Sequence, residues 1–95
     1  MEDTDARAWK LLVNATRRAL LQALNSGPRS IKDLADGTGV SGPSVSLHLG
    51  ALEDAGLVVS SDSAVDARLR LYRLRPARLA ELRQRIDLFW AAFGM

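Results

Sequence analysis

Three polar side chains at alternate positions could contact a nucleic acid: Ser44, Ser46 and His48. Their hydroxyl and imidazole groups can exchange hydrogen bonds with base edges or phosphate oxygens. Just before them, Ser41 can accept a hydrogen bond from a first-turn amide of a helix, and Pro43 fits where an amide proton has no helical partner. The sequence therefore predicts a helix whose small, polar beginning can enter a major groove.

The rest of this predicted helix has one apolar stripe and a clear end. Val45, Leu49 and Leu52 recur at helical spacing. Gly56 favours the left-handed conformation that stops a helix. The apolar residues 57–59 that follow are typical of a strand.

The segments upstream predict further helices. Residues 6–13 and 15–25 indicate two helices or one bent helix. A cap at Ser30 predicts a short helix that runs to about Asp36 and is followed by a tight, glycine-containing turn. This short helix, the turn and the helix that begins after Ser41 together form a helix-turn-helix at about residues 30–55.

The segments downstream predict a β-hairpin and a last helix. Residues 57–61 suit one strand, and residues 68–74 alternate charged and apolar side chains as a half-buried second strand does. A hairpin beside a helix-turn-helix is a wing, here at about residues 57–74. A final helix is expected over about 76–93. We predict one mainly α domain over residues 1–95, with four helices, a small β-hairpin and a fifth helix.

The final helix carries an apolar seam at alternating spacings of three and four residues, as in helices that pair with another helix. A domain this small buries a limited core, so a second copy of the chain is a reasonable expectation. The apolar residues of the seam and of the first helix are Trp9, Leu79, Leu82, Ile86, Phe89, Trp90 and Phe93.

Charge is unevenly distributed along the chain, although the net charge is only +2. Residues 68–85 contain seven arginines and a single acidic residue, whereas residues 33–67 contain six acidic residues and no lysine or arginine. Contacts to nucleic-acid phosphates must therefore come mainly from outside the central stretch.

Several classes of function find no support in the composition. The chain has no cysteine and one histidine, so disulfides and thiolate metal sites are excluded. It has no glycine-rich phosphate loop and no serine–histidine–acid arrangement, so we expect neither an enzyme nor a cofactor. No apolar run approaches the ~18 residues of a membrane span, and the acidic N-terminus is unlike a signal peptide, so a cytoplasmic protein is expected.

Two blocks of sequence resemble one family. Residues 14–18 read Asn-Ala-Thr-Arg-Arg and precede a leucine pair, while residues 44–49 read Ser-Val-Ser-Leu-His-Leu and lead to Ala-Gly-Leu-Val at 55–58. At this separation the two blocks are similar to those of the ArsR/SmtB winged helix-turn-helix transcriptional regulators. The resemblance covers nearly the whole chain.

The resemblance implies a homodimer that binds a pseudo-palindromic operator in double-stranded DNA, and most members of the family repress. Dimerisation through the first and last helices is implied, so the apolar residues there form the expected interface. The expected recognition helices of a two-fold dimer lie about one DNA turn apart, ~34 Å. The side chains expected to contact DNA are Ser44, Ser46, His48, Arg17, Arg18, Arg68 and Arg70.

Several of these side chains also have a structural interpretation. His48 could pack within the helix-turn-helix, bonded to a backbone group. Arg17 and Arg18 could tie the first helices to the body of the domain, and Arg70 could pair with a nearby carboxylate.

The sequence departs from the family at several positions. Leu47 and Gly50 stand where polar or basic residues are common, and the wing tip carries Asp62 and Asp66. Fewer phosphate contacts predict a flatter dependence of DNA affinity on salt. The central stretch with acidic residues only and the acidic wing tip motivate an alternative hypothesis, a winged-helix protein-interaction module that no longer binds DNA.

Metal sensing as the family performs it is not expected. Family sites use Cys on the third helix, or His and carboxylates on the last helix. Here the third helix offers Asp33 and Asp36 without Cys, and the last offers Glu81 and Asp87 without His. Carboxylates alone are poor ligands for soft or borderline metals, so we predict no metal site of this type and leave the inducer open.

Overall fold

A computed structural model describes residues 3–92 of the chain. The order of elements confirms a winged helix-turn-helix, and the first two helices are separate. The elements are α1 (Asp3–Leu12), α2 (Ala15–Leu24), α3 (Ile31–Thr38), α4 (Gly42–Asp54), β1 (Val58–Asp62), β2 (Arg70–Leu74) and α5 (Pro76–Ala91).

Side-chain caps fix where the central helices begin. Asn14 accepts a hydrogen bond from a first-turn amide of α2 at 3.0 Å. Ser30 and Asp33 form a reciprocal capping box at the start of α3. Ser41 caps α4 with a bond of 3.3 Å from the amide of Ser44, as the sequence predicts. Each cap satisfies an amide that has no partner inside the helix. The cap therefore determines the residue at which each helix begins.

Helix α3 runs further than the sequence suggested. It continues through Gly37 to Thr38, whose hydroxyl donates to the carbonyl of Leu34 at 2.6 Å. The chain leaves the helix at Gly39, where φ is +75°. This left-handed conformation suits glycine, so the second glycine of the turn, and not the first, ends the helix.

The core gathers around one face of α4. Its apolar stripe is fully buried in a core that also contains side chains from α1, α2, α3, the wing and α5. Burial of a leucine or valine side chain contributes roughly 1.5–3 kcal/mol, so this stripe holds α4 in a single orientation. The buried apolar residues are Ala8, Leu20, Leu24, Leu34, Val45, Leu49, Leu52, Leu57, Val58 and Leu82.

The wing is an antiparallel hairpin in which Val58 pairs with Leu74 and Asp62 pairs with Arg70. Its second strand begins two residues later than predicted. Arg68 lies in a turn, where its amide donates to the carboxylate of Asp66 at 3.0 Å. The amide of Arg68 is therefore engaged within the turn, and pairing with β1 begins only at Arg70.

One isolated β-bridge attaches the wing to the helix-turn-helix. Arg29 and Tyr72 exchange two backbone hydrogen bonds, of 3.0 and 2.8 Å. Because Arg29 lies just before the cap of α3, this bridge holds the hairpin against the loop between α2 and α3.

Helix α5 divides into a buried part and an exposed part. Leu82 lies in the core of its own chain, with about 1% of its surface exposed. Ile86 is half-buried, while Phe89 and Trp90 are each 48% exposed and pack edge to face, with ring centroids 5.9 Å apart. Phe93 lies outside the described residues. The predicted seam therefore faces two environments: Leu82 packs into the core of its own chain, whereas Phe89 and Trp90 face solvent.

A buried carboxylate connects α1 to α5. The side chain of Asp5 is 4% exposed, and one of its oxygens accepts a hydrogen bond from Nη1 of Arg78 at 2.9 Å. Nε of Arg85 lies 3.4 Å from the other oxygen, close enough for attraction but without hydrogen-bond geometry. Two guanidinium groups thus compensate a carboxylate that burial would otherwise destabilise.

We predict that Asp5→Ala lowers the free energy of unfolding by about 2–4 kcal/mol, because it leaves the guanidinium of Arg78 without its buried partner. Asp36→Ala is the matched control. Its ion pair with Lys32 is exposed, with side chains 68% and 86% accessible, and should contribute less than about 0.5 kcal/mol. Urea unfolding at one protein concentration measures both, and equal losses would contradict the prediction.

Candidate nucleic-acid interface

The beginning of α4 is an open surface of small side chains. Ser41, Pro43 and Ser46 are exposed and Ser44 is half-buried. The buried stripe on the other face of the helix fixes this side outward. Serine hydroxyls can donate to or accept from base edges and phosphates, so this surface has the shape and chemistry that a major groove admits.

His48 lies at the edge of this surface. Its hydrogen-bond partner is a side chain and not the backbone group that the structural interpretation of the sequence suggests. Its Nδ1 accepts a hydrogen bond from Nε of Arg17 at 3.2 Å. A ring nitrogen that accepts carries no proton, so the neutral imidazole has its proton on Nε2, where it can donate. The same bond brings a guanidinium from α2 to the side of α4.

Arg18, the neighbour of Arg17, has a structural role. Its Nη1 donates to the carbonyls of Leu12 and Val13, at 3.1 and 2.9 Å. These carbonyls end α1, where a cation also interacts favourably with the helix dipole. Arg18 therefore caps α1, which favours the structural interpretation of this residue over the phosphate contact.

The wing carries Arg70 in a hydrogen-bonded chain that reaches α4. Nε of Arg70 donates to the hydroxyl of Ser60 at 3.0 Å, and that hydroxyl donates to Glu53 at 2.7 Å. The carboxylate we expected near Arg70 is thus reached through a serine. Nothing in the sequence signals this chain, because it depends on the register of the hairpin.

Arg68 lies at the far end of the wing. Its side chain is 92% exposed and forms an ion pair with Asp66 at 3.2 Å. Hydrogen bonds from the side chain and the amide of Arg68 hold the pKa of Asp66 below its usual value. The charge of Arg68 is therefore partly balanced at the wing tip.

The structure brings some of the predicted residues together and separates others. Ser44, Ser46, His48 and Arg17 lie on or against α4, and Arg70 connects to the other end of that helix. Leu47 is 74% exposed on the same helix. From the sequence, Leu47 stands out only as a departure from the family pattern, whereas its exposure makes it part of the open surface.

A groove of about 520 Å³ lies between α1, α2 and the second half of α4. Its lining combines cations with small apolar side chains and one acid. The lining residues are Arg7, Lys10, Leu11, Arg17, Ala51, Asp54 and Ala55. No nucleophile stands beside a base in this lining, so it offers no catalytic arrangement.

Metal-ligand clusters and membrane-spanning helices are both absent from residues 3–92. No three His, Cys, Asp or Glu side chains there are grouped so that they could hold a metal ion. Within the same residues, no helix combines the length and the apolar character needed to cross a membrane.

Comparison with known proteins places these features in a family. The profile of a family described as "Helix-turn-helix domain" matches residues 12–61, from the end of α1 into the wing. The HTH-type transcriptional regulator Rv2034 of Mycobacterium tuberculosis is 44% identical over 84 residues, which cover 88% of this chain and 76% of that protein. A probable mercury resistance operon repressor of Streptomyces lividans is 35% identical over 80 residues, covering 84% and 62%.

Solved structures agree with this assignment. An ArsR-like transcriptional regulator from Rhodococcus sp. RHA1 matches with a TM-score of 0.85 at 27% identity, covering 96% of this chain and 83% of that one. The homodimeric winged helix-turn-helix DNA-binding domain of a possible ArsR-family regulator from Mycobacterium bovis matches with a TM-score of 0.73 at 28% identity, covering 94% and 80%. On this evidence, the chain belongs to the ArsR family of winged helix-turn-helix transcriptional regulators, which are not enzymes.

Proposed function

We propose that the chain is a homodimeric repressor that binds a pseudo-palindromic operator through the first half of α4. The observation that carries this proposal is the open surface of α4, with the guanidinium of Arg17 held beside it by His48. The similarity to a mercury resistance operon repressor supports repression, and the similarity to a homodimeric DNA-binding domain supports two copies. A cytoplasmic location and the single domain over residues 1–95 stay predictions.

The polar residues of α4 would divide the work of recognition. Ser46 is exposed, and its hydroxyl can reach a base edge or a phosphate. Ser44 is half-buried and suits a phosphate contact near the helix start. His48 would donate from Nε2, because Nδ1 already accepts from Arg17.

The basic residues would contact the DNA backbone on either side. Arg17 and Arg70 are the stronger candidates, because each is positioned against α4 or its neighbouring strand by a hydrogen bond. Arg68 would contribute from the wing tip, with its charge reduced by Asp66. Arg18 contributes least, because its guanidinium caps α1.

The dimer would form through α1 and the exposed end of α5. Phe89 and Trp90 present apolar surface at the end of α5, and Ile86 and Leu79 on α5 and Trp9 on α1 are half-buried. Leu82 has almost no exposed surface with which to contact a second copy. We therefore assign it to the core of its own chain and not to the predicted interface. Phe93 continues the spacing of the seam and stays a prediction.

The regulatory signal stays unassigned. That the chain lacks a metal site of the family type stays a prediction. Asp33 lies in the capping box of α3, and Asp36 forms an ion pair with Lys32, so both carboxylates of α3 already have partners. These partners support the prediction that α3 binds no metal.

The proposal predicts a strong preference for one DNA sequence. A palindromic duplex selected from random DNA should bind roughly 10³-fold more tightly than a scrambled duplex, measured by fluorescence anisotropy at 150 mM salt. His48→Ala should weaken binding to the selected duplex by roughly a hundredfold or more without lowering Tm, since it removes from each half-site a hydrogen bond to a charged group that contributes about 1.5–3 kcal/mol. Equal affinity for all duplexes at low salt would refute the proposal and favour the protein-interaction module.

Arg70→Ala should weaken binding to every duplex by a similar factor, because a phosphate contact carries no sequence information. It should also reduce the slope of log affinity against log salt by about 1 for each arginine removed. The matched control is Arg83→Ala, an exposed arginine on α5, which should change neither quantity. An unchanged slope for Arg70→Ala would show that the wing does not contact the backbone.

Phe89→Asp should dissociate the dimer at micromolar concentration, because it places a charge within an apolar interface. Val65→Asp is the control, since Val65 is 97% exposed in the wing. Sedimentation velocity distinguishes the two variants. Leu82→Asp should instead unfold the chain, and a Phe89→Asp variant that stays dimeric would move the interface away from α5.

A further inference from the structure

Leu47 is an exposed aliphatic side chain in the middle of the DNA-facing surface of α4. It is 74% exposed, whereas Val45 and Leu49, two residues to either side, are fully buried. At 3.6 residues per turn, two residues correspond to about 200° of rotation, so Leu47 projects from the side of the helix opposite the core. The buried stripe therefore fixes Leu47 outward.

Apart from His48 at the edge of the surface, the neighbours of Leu47 on this face are small. Ser46 adjoins it, Ser44 lies one turn before it, and Gly50 lies one turn after it in open space, with nothing within 4 Å of a Cβ built there. Leu47 is consequently the tallest side chain at the centre of this face. A group that protrudes in this way reaches a surface that approaches α4 before the serines do.

Leu47 is also isolated from other apolar surface. The other exposed large hydrophobic residues of the described chain lie outside α4, near the end of α1, in the wing and on α5. A single leucine is far smaller than the apolar patches of several hundred Å² that mark protein interfaces. The partner of Leu47 should therefore be a small apolar group set among polar ones.

We propose that Leu47 contacts the C5-methyl group of a thymine in each operator half-site and so selects an A·T pair at that position. The proposal rests on the DNA-binding role of α4 given above. In the major groove, the thymine methyl is the apolar group that base edges present, while guanine, adenine and cytosine present donors and acceptors. Leucine cannot satisfy those groups, so placing it over them costs their hydration without a replacement hydrogen bond.

Deoxyuridine provides the direct test, because it differs from thymine only by the absence of this methyl group. Thymines of the selected operator are replaced one symmetry-related pair at a time, and affinity is measured by anisotropy. Loss of one buried methyl group should weaken binding about fourfold for a half-site, and about fifteenfold when both half-sites are changed. One pair of positions should show this loss in the wild-type protein.

The variant Leu47→Ala identifies the residue responsible. It should bind the thymine and deoxyuridine duplexes with equal affinity, while its Tm stays unchanged because the side chain is exposed. Leu69→Ala is the matched control, a leucine that is 41% exposed just before β2, and should keep the discrimination of the wild type.

The outcomes separate this inference from the function on which it rests. A selected operator whose affinity does not depend on any thymine methyl overturns the role of Leu47 and leaves the proposed function standing. Discrimination that persists in Leu47→Ala assigns the methyl contact to another residue and also overturns it. If no duplex is preferred over random DNA, both proposals fail.

Discussion

The burial of one side of α4 is the constraint on which the rest of the structure depends. Val45, Leu49 and Leu52 take part in a core to which the other helices and the wing contribute. Since a helix with three buried side chains cannot rotate without exposing them, the opposite side is fixed toward solvent. The chemistry of the surface follows from this, because the serines, Leu47 and the edge of His48 are the residues left outside.

Much of the fold follows from local signals in the sequence, and the departures have identifiable causes. Ser30 and Ser41 predict the starts of α3 and α4 correctly, because a cap needs only a side chain and a nearby amide. The spacing of the seam does not decide whether Leu82 faces the core of its own chain or a partner, since both environments bury an apolar residue. Arg68 alternates with apolar residues as a strand residue would, yet the bond of its amide to Asp66 keeps it in a turn.

The candidate surface was predicted in its residue types and only partly in its contacts. The serines of α4 are contiguous with their cap, so one short segment specifies them. The bond between Arg17 and His48 spans 31 residues, and the chain from Arg70 to Glu53 depends on the hairpin register. Basic residues also differ in their roles, since Arg18 and Arg78 stabilise the fold. A count of arginines therefore overstates the charge available to a phosphate backbone.

The bridge between Arg29 and Tyr72 has a consequence for motion. Two backbone bonds connect the hairpin to the loop that leads into α3, so the hairpin cannot swing without breaking them or carrying that loop along. We therefore expect the hairpin and the loop that leads into α3 to move together. In the proposed dimer, we then expect an adjustment of fit to DNA to come from the angle between the two copies and not from the wing.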